Sequence, residues 1–202
     1  MTLDLRAMTV GDYLDRLAAA EPVPGGGAVA GLALAQAAAL GSMVVGYAIG
    51  KPRYAPHDAV HRATHETLAR ARGRAVELAE EDARAYGALN ALWRLPKDDP
   101  ARAGFDAAVV AAIAAPEATL ALASETTDAL ARLVGTTSAA LASDLRIAFD
   151  LVATAAQAAI ENVRINLPSV ADDASRGEIA TRSEALLARI IAACAEWRGK
   201  VG

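Results

Sequence analysis

Residues 22–50 read PVPGGGAVAGLALAQAAALGSMVVGYAIG, two prolines and three glycines followed by 23 residues, Ala28 to Gly50, without a charged side chain. Proline fixes φ and removes a backbone donor, and consecutive glycines lose the most entropy on ordering, so 21–27 is expected to be irregular. From Ala28 the chain changes character: alanine, leucine and valine run on without a breaker, which predicts a helix over 28–50 that is apolar all round. A helix of that kind is packed on all sides by neighbours. Its length also suits a membrane span. However, it is built of Ala and Gly more than Leu and Ile and carries Gln36, Ser42 and Tyr47, so its gain on entering hydrocarbon is small. A core helix surrounded by other helices is the expectation.

The rest of the chain agrees. Of 202 residues, 53 are alanine, which makes up about half of the 54% hydrophobic fraction, while aromatics are only 4%. Alanine has the best helix propensity, and sheets favour aromatic residues and runs of β-branched ones, both of which are scarce here. The fold class expected is all-α. With a net charge of −4 and no basic cluster, there is no electrostatic footprint for nucleic acid. The single cysteine, Cys194, excludes an internal disulfide and fits a reducing compartment, so the cytoplasm is expected. Asp4 and Arg6, with no apolar core before Ala18, do not make a signal peptide, and no membrane partner is expected.

Working along the chain, Thr9 reads as the N-cap of a short helix to about Ala20, with Asp12 in its first turn. After the 28–50 helix, Gly50-Lys51-Pro52-Arg53-Tyr54-Ala55-Pro56 is a break, and an amphipathic helix runs from Asp58 to Trp93. Leu95–Pro100 interrupts again. A helix over 101–133 contains Pro116, which predicts a kink or a split, and Gly135 ends it. Helices over 138–166 and 177–197 complete the chain, on either side of a loop at Pro168. The expectation is one domain, 1–202, a bundle of five to seven helices.

Chemistry is sought where polar residues interrupt apolar stripes. In the 58–93 helix, Leu68, Ala71, Ala75, Leu78, Asp82, Tyr86, Leu89 and Trp93 share one face, so Asp82 points among apolar neighbours while Glu80 and Glu81 fall on its flanks. An enclosed carboxylate costs several kcal/mol unless paired, hydrogen-bonded or protonated. It marks either a buried ion pair or a functional acid. In the 138–166 helix, Asp144, Asn162 and Asn166 accompany the stripe Leu141, Ala148, Leu151, Ala155, Ala158 and Ile165. A carboxamide both donates and accepts, which suits a flat heterocycle, while an Asn beside Leu167-Pro168 is also an ordinary helix end. Gly25, Gly26 and Gly27 leave free N–H groups at a helix start and let a ligand approach the main chain. They are neither a phosphate loop nor a dinucleotide fingerprint.

His57, His61 and His65 are spaced at i, i+4 and i+8 on one helical face, a spacing that lets two of them chelate a metal. Their position at a polar helix start, with no carboxylate or cysteine arranged beside them, leads us to assign no metal. Cys194 reads as a small core residue, and Trp93 and Trp197 as packing or interface residues.

Six segments together resemble the cyclodeaminase/cyclohydrolase family of folate one-carbon metabolism. They are Pro24-Gly25-Gly26-Gly27-Ala28-Val29-Ala30, Gly50-Lys51-Pro52-Arg53-Tyr54, Asp82-Ala83-Arg84-Ala85-Tyr86, Leu95-Pro96-Lys97, Ser143-Asp144-Leu145 and Asn162-Val163-Arg164-Ile165-Asn166-Leu167. The resemblance implies an all-helical subunit that forms a homodimer, takes a tetrahydrofolate derivative as substrate and holds no permanent cofactor. It implies Asp82 as the catalytic acid, with Lys51 assisting. The glycine loop Gly25–Gly27, Tyr54, Asp144, Asn162 and Asn166 are implied to line the folate site. The sequence departs from the family's pattern at Ala28, where serine is common, at Pro52-Arg53 and at Thr136-Thr137.

Two reactions share this chemistry. In one, N10 of the folate attacks a formimino carbon and ammonia leaves; in the other, water attacks the same carbon in the methenyl ring and opens it. A single carboxyl group serves both by stabilising the cationic amidinium and moving protons. With no formiminotransferase segment in the 202 residues, the sequence reading places the cyclohydrolase first, the cyclodeaminase next and a non-catalytic helical ligand-binding dimer last.

Overall fold

The computed structural model describes residues 3–202, and all the regular secondary structure among them is helical. Six α-helices run α1 Val10–Ala18, α2 Gly26–Gly46, α3 Asp58–Trp93, α4 Phe105–Ala131, α5 Ala142–Asn166 and α6 Asp173–Lys200, with short 3₁₀ segments between several of them.

Local chemistry sets the ends. Thr9 Oγ1 accepts the Asp12 N–H at 3.1 Å and starts α1. Two of the three glycines lie inside the first turn of α2, with Gly25 as its N-cap, so the helix starts earlier than the glycines suggest. It also ends earlier, at Gly46, and the chain turns through Gly50 at φ +71°. Asp58 Oδ1 accepts the Gly50 N–H at 2.8 Å and fastens that turn to the start of α3. α6 begins at Asp173 rather than Gly177, because the Asp172 carboxylate accepts the Ser175 N–H at 2.7 Å.

Pro116 does not split its helix. α4 runs unbroken from Phe105 to Ala131 although proline removes one i→i−4 hydrogen bond. The buried neighbours Ala112, Ile113, Ala115, Thr119 and Leu120 hold both sides of the proline against the bundle, so packing outweighs the lost bond.

α2 lies between α3 and α5 with α4 behind it, and α6 closes over α4 and α5. Small residues allow the close approach. A Cβ on Gly31 would stand 2.7 Å from the Ala75 carbonyl oxygen and the Ala79 Cβ, so only glycine lets α2 lie this tightly on α3. Phe149, Leu34, Leu68, Leu78, Leu120 and Ile160 fill the larger spaces, each contributing about 1.5–3 kcal/mol by burial.

The expectation that α2 is enclosed on every side is corrected here. One face stays open, with Val29 38%, Met43 39% and Tyr47 63% exposed. α1, which has no buried residue, passes near that face without packing extensively on any helix. By length and hydropathy alone, α2 and the segment 100–131 are each capable of crossing a membrane; in the fold each packs in the helical bundle.

Candidate active site

The start of α2, the middle of α3 and the end of α5 meet around a cavity of about 250 Å³. Gly25, Gly26 and Gly27 form one wall, Asp82, Tyr86 and Trp93 of α3 another, and Asn162 and Ile165 of α5 a third. The α3 stripe read from the sequence supplies the second wall as expected.

Asp82 is half-buried, and burial alone pushes its carboxyl up to about 6. No arginine, lysine or histidine offsets the shift, which rules out the buried ion pair considered above. Its acidic neighbours are engaged elsewhere. Glu80 Oε1 accepts the Leu5 N–H at 2.8 Å, and Glu81 pairs with Arg74 at 2.6 and 3.0 Å. A carboxyl group that titrates near neutrality can both take and give a proton.

Asp82 faces a helix start with no side-chain cap and no acidic residue in its first turn. The first N–H groups of a helix lack intrahelical acceptors and form its positive end. The glycines permit the juxtaposition: any side chain at Gly27 would overlap the Asp82 carboxyl group. At Gly26, a Cβ would lie 3.5 Å from the Asn162 amide. Asn162 donates from Nδ2 to the Ala158 carbonyl at 2.8 Å, which anchors the side chain and leaves Oδ1 without its own donor bond.

Other residues singled out from the sequence stand apart. Lys51 and Tyr54 follow the far end of α2, and a helix of 21 residues places that end about 31 Å from Gly26. Asp144 sits in the first turn of α5, eighteen residues before Asn162, or roughly 27 Å away. Helix rise alone therefore prevents one chain from bringing Lys51, Tyr54 and Asp144 to Asp82. Asn166 is close in sequence but turned inward: it is buried, its Nδ2 donates to the Asn162 carbonyl at 2.8 Å, and its Oδ1 has no partner. One helical turn is 3.6 residues, so a step of four rotates Asn166 from the cavity towards the core. Ile165, expected on the interior stripe, is 68% exposed at the rim.

Tyr86 and Trp93 were not singled out as site residues. Their rings meet edge to face at 6.2 Å, and Phe105 backs Trp93 at 6.3 Å. Their positions four and eleven residues after Asp82 on one stripe were the available signal. Cys194 is buried in the core, as read. Of the histidines, His61 is buried with Nε2 3.1 Å from Thr136 Oγ1 and its ring 5.8 Å from that of His57, while His57 and His65 are exposed. Among the described residues, no three metal-capable side chains come together.

Comparison with known proteins follows the same line. The model of the formiminotransferase-cyclodeaminase family matches residues 9–185. A formimidoyltransferase-cyclodeaminase of Sus scrofa is 33% identical over 169 residues, which are 81% of this chain and 31% of that protein. A methenyltetrahydrofolate cyclohydrolase of Methylorubrum extorquens is 34% identical over 90 residues, 45% of this chain and 43% of that protein. The crystal structure of formiminotetrahydrofolate cyclodeaminase from Thermotoga maritima has the same fold, with a TM-score of 0.85 over 97% of this chain and 98% of that one at 24% identity. The chain spans about a third of the length of the formimidoyltransferase-cyclodeaminases it matches.

Proposed function

This chain belongs to the formiminotransferase-cyclodeaminase family, and from that premise we propose that it is a folate one-carbon enzyme that uses Asp82 to move protons at the carbon carried by N5 of tetrahydrofolate. The observation that carries the reading is the unpaired Asp82 carboxyl, raised to about 6 by burial, standing on the open start of α2.

The ring closure with loss of ammonia is placed first, because the matches that cover most of this chain carry the cyclodeaminase name. N10 attacks the protonated formimino carbon, forming the N10–C bond. As carboxylate, Asp82 takes the N10 proton and then, as acid, delivers it to the departing nitrogen. The C–N bond breaks, ammonia leaves, and the positive charge remains on the methenyl product, so atoms and charge balance. A group whose pKa lies near the working pH is suited to both half-steps. The ring opening favoured by the sequence reading is second, on the 34% identity to a cyclohydrolase over 90 residues. There Asp82 takes a proton from the attacking water and returns it to the ring nitrogen as that C–N bond breaks, while the new hydroxyl on carbon loses its proton to solvent as it becomes the formyl carbonyl, so the positive charge of the methenyl ring leaves as that proton.

The cavity of about 250 Å³ is below the usual 300–1,000 Å³ for a drug-sized ligand. It takes the bicyclic end of a folate against Tyr86 and Trp93, with the remainder leaving over Ile165. We read the active species as a homodimer.

The test supplies 5-formiminotetrahydrofolate and follows the appearance of methenyl near-ultraviolet absorbance together with ammonia release, then supplies the methenyl compound and follows its loss. Turnover in the first assay supports the deaminase and turnover only in the second supports the hydrolase. Silence in both, with no folate binding by calorimetry, overturns the reading.

A further inference from the structure

Trp93, which lines the Asp82 cavity, is the last residue of α3, and Phe105, which backs it, is the first of α4. The connection between them reads Arg94-Leu95-Pro96-Lys97-Asp98-Asp99-Pro100-Ala101-Arg102-Ala103-Gly104, with two prolines and five charged residues. Such a segment has little apolar surface to bury, yet its second half is tied back onto its first. Asp99 Oδ1 accepts the Ala101 N–H at 2.8 Å and starts a 3₁₀ turn over Pro100–Gly104. That turn carries Arg102 back to the end of α3, where its Nη1 donates to the Leu95 carbonyl at 3.1 Å. The same guanidinium lies over the Phe105 ring, 4.4 Å from its centre.

The two contacts have different causes. The negative end of α3 favours a cation beside Leu95. The positive start of α4 does not favour one beside Phe105, so the ring contact is made by the attraction of the cation for the aromatic face. Arginine can satisfy both at once, because a planar fork lies on a ring with its face while it donates from its edge.

From Arg102 the contacts run inwards without a gap. The guanidinium covers Phe105, Phe105 meets Trp93 at 6.3 Å, and Trp93 meets Tyr86 edge to face at 6.2 Å, one helical turn beyond Asp82. Trp93 and Phe105 are each half-buried and stand at a helix end, where their own helix offers no further turn to hold the ring. Something outside the cavity must therefore fix the cavity wall.

We infer that Arg102 is a positioning residue: by tying Phe105 to the Leu95 carbonyl it sets the attitude of the Trp93 indole, and with it the surface on which a flat ligand is seated. Arg102 does not line the cavity and touches no reacting atom. A wall held in place beforehand costs less to order when the ligand arrives, so Arg102 acts on substrate affinity and leaves the chemical step alone. The part that concerns substrate rests on the folate reading proposed above.

The test uses the full chain carrying Trp197→Phe, so that Trp93 is the only indole. In that background Arg102→Ala is expected to raise acrylamide quenching of Trp93 about twofold and KM for the folate substrate about fivefold, with kcat unchanged within a factor of about two. Arg102→Lys keeps the charge at the surface but cannot cover the ring and reach the carbonyl together, so it shifts both quantities in the same direction and serves if the alanine variant does not fold. Phe105→Leu reproduces both effects, and adding Arg102→Ala to it changes neither further, because one line of contacts is already broken. Unchanged quenching in the Arg102 variants overturns the proposal, as does an unchanged KM or an additive double variant. So does a fall in kcat equal to the rise in KM. Wild type that neither binds nor turns over folate overturns the function instead, while the quenching comparison, which needs no ligand, still decides whether Arg102 sets Trp93.

Discussion

The Asp82 carboxyl group occupies the space where a side chain on Gly27 would be, so helix α3 delivers its acid directly onto the backbone of the first turn of α2. The glycine is required by that acid rather than by a turn, since neither Gly26 nor Gly27 has a positive φ. Gly27→Ala should therefore separate stability from activity. Alanine is favoured over glycine inside a helix by about 1 kcal/mol, yet the methyl group must push Asp82 aside. A displacement of about 1 Å costs roughly 100-fold in rate. Melting temperature and turnover measured on one preparation check this: a loss of activity near that size without unfolding is expected, and an unimpaired Gly27→Ala enzyme would remove the geometric basis of the site.

Asp82→Asn keeps the shape and removes the proton. If the carboxyl works as acid and base, turnover should fall by about 10²–10⁴-fold. Stability should move the other way. The folded-state value of about 6 lies above the ordinary 3.8, so the folded protein binds the proton more tightly than the unfolded chain. That contribution is fully present below pH 4 and is lost as pH rises through 6. Allowing for partial exposure, the loss is about 2 kcal/mol at pH 8. The amide variant should thus be more stable than wild type at pH 8 and show no such advantage at pH 4. Urea titrations at the two pH values measure it, and the turnover profile of wild type should have a limb near pH 6.

Trp93 lines the cavity and Trp197 does not. A bicyclic ligand seated against Tyr86 and Trp93 changes the environment of only one indole, so folate binding should alter intrinsic fluorescence through Trp93. Trp93→Phe should abolish the change and Trp197→Phe preserve it. If Trp197→Phe were the silent variant, the ligand would lie elsewhere.

Much of this was legible in the sequence because helices declare themselves locally. The 58–93 helix and its stripe bearing Asp82 followed from 3.6-residue periodicity, and Thr9 from capping chemistry. α6 extends beyond its expected bounds by four residues at the start, where the Asp172 side chain caps it, and by three at the end. The site was half legible. Periodicity says which face a residue takes but not which end of the bundle it reaches, so Lys51, Tyr54 and Asp144 were grouped with an acid about 30 Å away. Asn166 shows the smaller version of the same limit, since a 40° drift per four residues turns a cavity residue into a core one. The open face of α2 could not be read at all, because an apolar helix has the same composition whether its last side meets its own chain or another.

His61 provides a check on the far end of the bundle, independent of the site. It is fully buried, its Nδ1 has no partner, and burial, followed by the charge of His57, holds its pKa below the ordinary 6.5. The folded protein therefore binds this proton less readily than the unfolded chain. The stability that comes from keeping the ring neutral is present above pH 6.5 and is lost as pH falls through the folded-state value. This slope is opposite in sign to that of Asp82, whose contribution grows over the range where that of His61 fades. Replacing both groups should separate them: His61→Gln retains a polar contact for Thr136 and should flatten the decline in stability between pH 7.5 and 5, while Asp82→Asn should steepen it. Equal pH slopes for wild type and His61→Gln would show that the buried ring is not what the acid attacks.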